Sequence, residues 1–176
     1  MACYLIAHSI IDENEAIAGG YPGDQTGYEL CAQPFFENSW THLYRANDAE
    51  KAEQIADFME KAVSNGYIGY DNGERNTLFN AIYPDFKVEK LAEPVESDCS
   101  SLVYCAVYSA YGVPYYSEEE NKHKAPLVKG YEEYLLTGNL AGNFEKIQPE
   151  EGFITTEANL VRGDILIKDG HLAVWI

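Results

Sequence analysis

Positive charge is scarce in this sequence. Twelve Lys plus Arg stand against 29 Asp plus Glu, a net charge of −17. A surface that acidic repels phosphate polymers and anionic membranes, which argues against nucleic acid as a partner. Its plainest use is solubility. Long apolar runs are also missing. No stretch is long enough to span a bilayer, so no stable membrane insertion is expected. The opening "MACYLIAHSIIDENEA" has no basic flank and does not read as a secretory signal. Cysteine is sparse. Cys3, Cys31, Cys99 and Cys105 show neither metal-ligand spacing nor a disulfide framework, as expected of a chain made in a reducing cytoplasm. The acidic runs "DENE" and "DNGE" lack the spacing of a calcium loop. Neither a metal nor another cofactor is implied.

What is present suffices for one core: 176 residues, 46% of them apolar, with 14 Tyr. "ACYLIAHSI" reads as an opening strand, and "GGYPGDQTGYEL" is too rich in Gly and Pro for regular structure. "YELCAQPFF" resumes as a strand. From Asp48 to Ser64 the apolar residues Ala52, Ile55, Ala56, Met59, Ala62 and Val63 recur with helical periodicity, with Asn47 or Asp48 as cap. "NTLFNAIYPD" predicts a shorter helix and residues 85–97 an irregular connector. Ser100 to Tyr111 predicts a buried helix, capped by Asp98 and stopped by Gly112 and Pro114. A polar excursion, "EEENKHKAPLVKG", precedes a short helix in "GYEEYLLTG". "NFEKI", "GDILIK" and "HLAVWI" read as strands, the last two joined by an Asp169-Gly170 hairpin turn. Helices early and strands late give an α+β class, with a helix on a C-terminal antiparallel sheet.

Cys99 follows the cap residue Asp98, in the first turn of the expected helix. Unpaired N–H groups and the helix dipole stabilise a thiolate there. Cys105 lies mid-helix among Val103, Ala106 and Val107, where an apolar setting raises a thiol pKa. Position therefore selects Cys99 as the candidate nucleophile. The plainer alternative is a small buried residue. Of the four histidines, His8, His42, His123 and His171, the sequence places His123 in a charged loop and His42 between Trp40 and Leu43. His171 opens a strand directly after a hairpin turn, where a base is held rigidly.

"DCSSLV" followed by a helix, then "RGDILIKDGHLAVWI", resembles the two signatures of the NlpC/p60 cysteine peptidases of bacterial cell walls. Asp98, Cys99, Ser100, Leu102 and Val103 match the first signature, and Gly163, Asp164, Ile165 and His171 the second. Ser101 departs from that family's glycine. "NGYIGYD" is similar to the tyrosine-bearing segment upstream, with Tyr70 favoured over Tyr67. The resemblance implies one papain-like catalytic domain: residues 1–66 an N-terminal extension integral to the fold, residues 67–176 the NlpC/p60-like core. It implies that Cys99 and His171 are catalytic and that Asp98 and Ser100 help hold the free amine of a stem peptide. Asp98 as a simple helix cap is the alternative.

"IDENEAIAGGYPGDQTGYEL" and "SWTHLYRANDAEKAEQIADFMEKAV" are similar to the leader of phage-encoded lysins. The implied function is an endolysin-like peptidoglycan hydrolase that cleaves a stem-peptide bond. An N-acetylmuramoyl-L-alanine amidase and a non-catalytic wall-binding phage protein are the alternatives. The resemblance implies a cytoplasmic protein released to the wall by a holin, working with a separate wall-binding module. Papain-like enzymes use a side-chain amide in the oxyanion hole. Gln25 is the candidate donor, with Asp24 beside it; the alternative is that Asp24 and Thr26 merely knit the "GDQTG" loop together. The chain stops five residues after His171, inside an apolar strand. The expectation is a continuation that supplies a polar residue to orient His171.

Overall fold

In the computed structural model, residues 5–36, 40–116, 123–150, 152 and 154–176 are described. The start of the predicted opening strand, with Cys3, and part of the 118–130 excursion lie outside them. Eight strands form in chain order: β1 (Leu5–Ser9), β2 (Leu30–Pro34), β3 (His42–Ala46), β4 (Ile68–Tyr70), β5 (Val95–Ser97), β6 (Phe144–Ile147), β7 (Ile165–Lys168) and β8 (His171–Trp175). Four α-helices accompany them: α1 (Ala49–Val63), α2 (Thr77–Ile82), α3 (Cys99–Tyr111) and α4 (Tyr131–Leu136).

Six strands make one sheet in the order β2-β1-β8-β7-β3-β6, antiparallel at every pairing. Three corrections follow. The sheet is not C-terminal: β1, β2 and β3 all come from the first 46 residues. The His42–Ala46 segment, which the sequence attaches to the α1 leader, is a strand. Asp48 separates the two, because its side chain accepts from the Glu50 and Lys51 N–H groups and starts α1. The supposed connector also contains β5, which pairs in parallel with β4.

The strand β8 is covered on both faces, which explains its unbroken apolar run. Leu172 and Val174 join the core under α1 and α3. Ala173 and Trp175 point the other way, into a second cluster with Ile6, Trp40, Leu43 and Leu166. Both edges of β8 are taken, by β7 and by β1. The apolar strand that the sequence leaves without a neighbour finds one at the N-terminal end of the chain.

The Gly-Asp of the second signature is architectural. Gly163 has φ +91°, and a Cβ there would lie 2.4 Å from the Ala52 carbonyl oxygen of α1. Only glycine permits that approach. Asp164 is buried and paired with Arg45 of β3, Nη2 to Oδ2 at 2.6 Å. This pair ties the N-terminal strands to the β7–β8 hairpin.

Candidate active site

Local chemistry sets the start of α3. Asp98 Oδ1 accepts from the Ser101 N–H at 2.6 Å, and the Asp98 N–H donates to Ser101 Oγ at 2.8 Å. This reciprocal pair is a capping box. It gives Ser101, which stands where the NlpC/p60 signature has glycine, a structural role. Gly112 closes the helix in the left-handed region at φ 67°.

Cys99 is the first residue of α3 and is buried at 7% exposure. Its thiol lies against the start of β8. It donates to the Gly170 carbonyl at 4.0 Å, and the Leu172 N–H is directed at the sulfur. The sulfur therefore touches the backbone on both sides of His171. A cleft of about 720 Å³ opens beside it, lined by Tyr70, Asn72, Asp98, Ser100, His42 and Glu132 among others. Tyr70 sits in this cleft, whereas Tyr67 is half-exposed and lines a different depression.

The His171 ring is not on the cleft wall. It lies on the β8 face of Ala173 and Trp175, with its centroid 6.0 Å from that of Trp40 and 5.0 Å from that of His8. Its Nε2 lies 2.7 Å from Nδ1 of His8, and Nε2 of His8 lies 2.8 Å from the side-chain nitrogen of Gln33. These three side chains come from β8, β1 and β2, neighbours in the sheet. Nδ1 of His171 has no hydrogen bond among the described residues. The position beside His171 that the sequence assigns to a continuation is thus held by His8. Neither Asp24 nor Gln25 occupies it.

Burial governs the titration. Desolvation, then the charge of Asp98, pushes the Cys99 thiol up to about 11 against the pull of the Leu172 N–H and Arg75. Burial, then His8 and Lys168, pushes His171 down to about 3. Burial and Lys168 take His8 down to about 4. This corrects the expectation of a thiolate at rest. The helix terminus is present, but burial of the thiol penalises the bare anion more than the dipole rewards it. The resting pair is neutral thiol and neutral imidazole.

Three other expectations change. Asp98 does not offer a free negative charge to an amine: Nε of Arg75 donates to its Oδ2 at 2.6 Å and Nη2 to its Oδ1 at 3.2 Å. Ser100 Oγ donates to the same carboxylate at 2.9 Å and accepts from Arg75 at 2.5 Å. Gln25 and Asp24 do not line the Cys99 cleft. The Gln25 amide donates to the Pro22 and Gly23 carbonyls, and Asp24 Oδ1 accepts from the Thr26 and Gly27 N–H groups. That loop is knitted to itself. His123, expected in solvent, packs against Phe79 and Tyr83 and bonds Asn80 at 2.8 Å.

Sequence reasoning missed His8, Gln33 and Arg75 as members of this site. For His8 a signal exists: it is the one ionisable residue in "LIAHS" and shares a strand face with Ile6. Arg75 and Gln33 have no such local mark.

A family model described as an endolysin-like domain matches residues 6–176. The chain belongs to that family. The match takes in β1 with His8 as well as the α3 and β8 signatures, so it spans the six-stranded sheet from its N-terminal to its C-terminal strands. Membership points to a phage-type cell-wall hydrolase with peptidoglycan as substrate. No curated protein and no solved structure matches the chain. Among the described residues of the endolysin-like domain, no group of three or more His, Cys, Asp or Glu is arranged to hold a metal, and no helix is long and apolar enough to cross a membrane.

Proposed function

We propose that this domain is a papain-like cysteine peptidase of the NlpC/p60 type that hydrolyses a peptide bond in the peptidoglycan stem. One observation carries the reading. The Cys99 thiol, at a helix N-terminus inside the main cleft, lies against the strand whose first residue, His171, is backed by His8.

Nδ1 of His171 takes the thiol proton as sulfur attacks the scissile carbonyl carbon. The carbonyl oxygen becomes an oxyanion, met by the Cys99 N–H at the start of α3 and by the Tyr70 hydroxyl. Collapse breaks the C–N bond, and the imidazolium returns its proton to the departing amine. Water, deprotonated by His171, then attacks the thioester and releases the acid and the thiol. His8 accepts from Nε2–H of His171 and holds the ring while it is charged.

The pairing of Asp98 with Arg75 supports a substrate without a free amine beside the nucleophile. That condition suits a stem peptide still joined to the glycan, and it favours the muramoyl–L-alanine amide bond as the second reading. The net charge of −17 supplies no attraction to an anionic wall. Wall targeting by a separate module, and cytoplasmic storage before holin-type release, belong to the same proposal.

Digesting purified walls and identifying the fragments by mass tests the reading. An endopeptidase leaves new amino-acid termini within the stem. An amidase leaves free lactyl groups on muramic acid and intact stems. Walls that bind the domain but yield no fragments would mark it as a binding protein.

A further inference from the structure

The contacts of His8 constrain the protons of the whole relay. The Gln33 amide meets Nε2 of His8 at 2.8 Å, and Nδ1 of His8 meets Nε2 of His171 at 2.7 Å. A neutral imidazole carries one N–H, so these groups cannot choose their donors independently. When the Gln33 nitrogen donates, Nε2 of His8 accepts. Nδ1 of His8 then carries the proton and donates to Nε2 of His171. The His171 proton is left on Nδ1, which has no lone pair for the Cys99 thiol.

A half-turn of the amide reverses every donor. Oε1 of Gln33 accepts from Nε2–H of His8, Nδ1 of His8 accepts from Nε2–H of His171, and Nδ1 of His171 presents its lone pair. The same set of donors also fits the imidazolium formed during catalysis. The switch conserves protons: one leaves Nδ1 of His171, one passes from His8 to His171, and one arrives at Nε2 of His8. Water exchanges the first and the last, and Gln33 is only half-buried.

We propose that Gln33 is a positioning residue whose amide orientation selects the tautomer of the His8–His171 pair, with the carbonyl-inward orientation reactive. This rests on the Cys99–His171 reading above. The other groups acting on the relay are Lys168 on β7 and Cys31, which sits opposite His8 on β2. None of them changes in the Gln33 variants. Lys168 lies over the Phe36 and Trp40 rings, at 4.8 and 5.2 Å, and opposes protonation of either histidine.

The test compares the wild type, Gln33→Leu and Gln33→Glu, and needs no wall substrate. Nitrogen-15 NMR of labelled histidine reports the His171 tautomer. Iodoacetamide alkylation of Cys99, read site by site by fragment mass, reports how readily the thiol gives up its proton. The wild type should hold His171 as the Nε2–H form, with the Gln33 amide half a turn from the nitrogen-inward orientation of the structure. Gln33→Leu should populate the Nδ1–H form and slow Cys99 alkylation about tenfold or more near pH 7. Gln33→Glu accepts without turning and should keep the wild-type tautomer and at least the wild-type rate. Should the leucine variant fail to fold, the wild type and Gln33→Glu still decide. An unchanged tautomer and rate in a folded Gln33→Leu, or an Nδ1–H His171 in Gln33→Glu, would overturn the proposal. If the tautomers behave as stated and no wall is cut, the peptidase reading fails while the relay stands.

Discussion

Arg75 holds Asp98 with two nitrogens, Nε 2.6 Å from Oδ2 and Nη2 3.2 Å from Oδ1. The same guanidinium donates to the carbonyls of Ala125 at 3.0 Å and Pro126 at 2.9 Å. It joins the cap of α3 to the chain that leads into α4. Asp98 is 3% exposed, and Arg75 is the cation that answers its buried carboxylate, beside the Ser101 N–H and the Ser100 hydroxyl.

Arg75→Leu should therefore destabilise the fold by about 3–5 kcal/mol, the usual cost of leaving a buried carboxylate unpaired. The Arg75→Leu, Asp98→Asn double variant should recover part of that loss, because the stranded charge is gone. Urea unfolding of the three proteins measures both. A loss below about 1 kcal/mol for Arg75→Leu, the range of exposed ion pairs, would show that Asp98 is not held as described.

Under the proposed mechanism His8→Ala should lower kcat with little change in KM, since His8 would orient the base without touching substrate. Losses on removing such a partner reach about 10⁴ in related triads. His8→Asn, which keeps an acceptor, should retain more activity than His8→Ala. Equal activity in the two variants would count against an orienting hydrogen bond.

The pH profile follows from the neutral resting pair. The competent form needs His171 unprotonated and Cys99 protonated. With His171 lowered to about 3 and Cys99 raised to about 11, that form persists across the range between. The ratio kcat/KM should stay nearly level from about pH 5 to about pH 9. A steep acid limb centred near 6.5, the ordinary histidine value, would show that burial does not hold His171 neutral.

Glu96 lies away from the chemistry and should govern stability. Its Oε1 accepts from the Gly23 N–H at 2.8 Å, while its Oε2 is buried without a partner among the described residues. Burial, followed by the charges of Glu29, Asp71 and Glu13, raises its carboxyl from 4.5 to about 8. Between those values the folded state keeps a proton that the unfolded state releases, so stability falls as pH rises through the window. Glu96→Gln removes that penalty. Its melting temperature should exceed the wild type's at pH 8, by about 2–4 °C per kcal/mol relieved. The gain should shrink toward pH 4.5, where the unfolded carboxyl is also protonated. A constant difference across the range would exclude titration of Glu96 as the cause.

Much of the fold is legible in local chemistry. Asp98 and Gly112 bound α3, Asp48 starts α1, and Asp169-Gly170 joins β7 to β8, because caps and turns act within a few residues. Cys99 and His171 stand out for the same reason. What escaped depends on strands that meet only in the folded chain. His8 reaches His171 across 163 positions because β1 pairs with β8. Arg75 is drawn to Asp98 by burial, which no spacing announces. The "GDQTG" loop misled in the opposite direction. Its polar residues suit an oxyanion hole, yet Asp24 and Gln25 spend their bonds on their own loop.

The most direct test of the central claim is mass measurement of the enzyme during turnover. Wild-type protein is mixed with a soluble stem-peptide fragment, quenched in acid within the first turnovers, and mapped for covalent adducts. The account predicts the acyl half of the peptide attached to Cys99, with no adduct on Cys105. It also predicts no hydrolysis by Cys99→Ala, whose fold should melt close to the wild type. Hydrolysis by Cys99→Ala at the wild-type rate would contradict it.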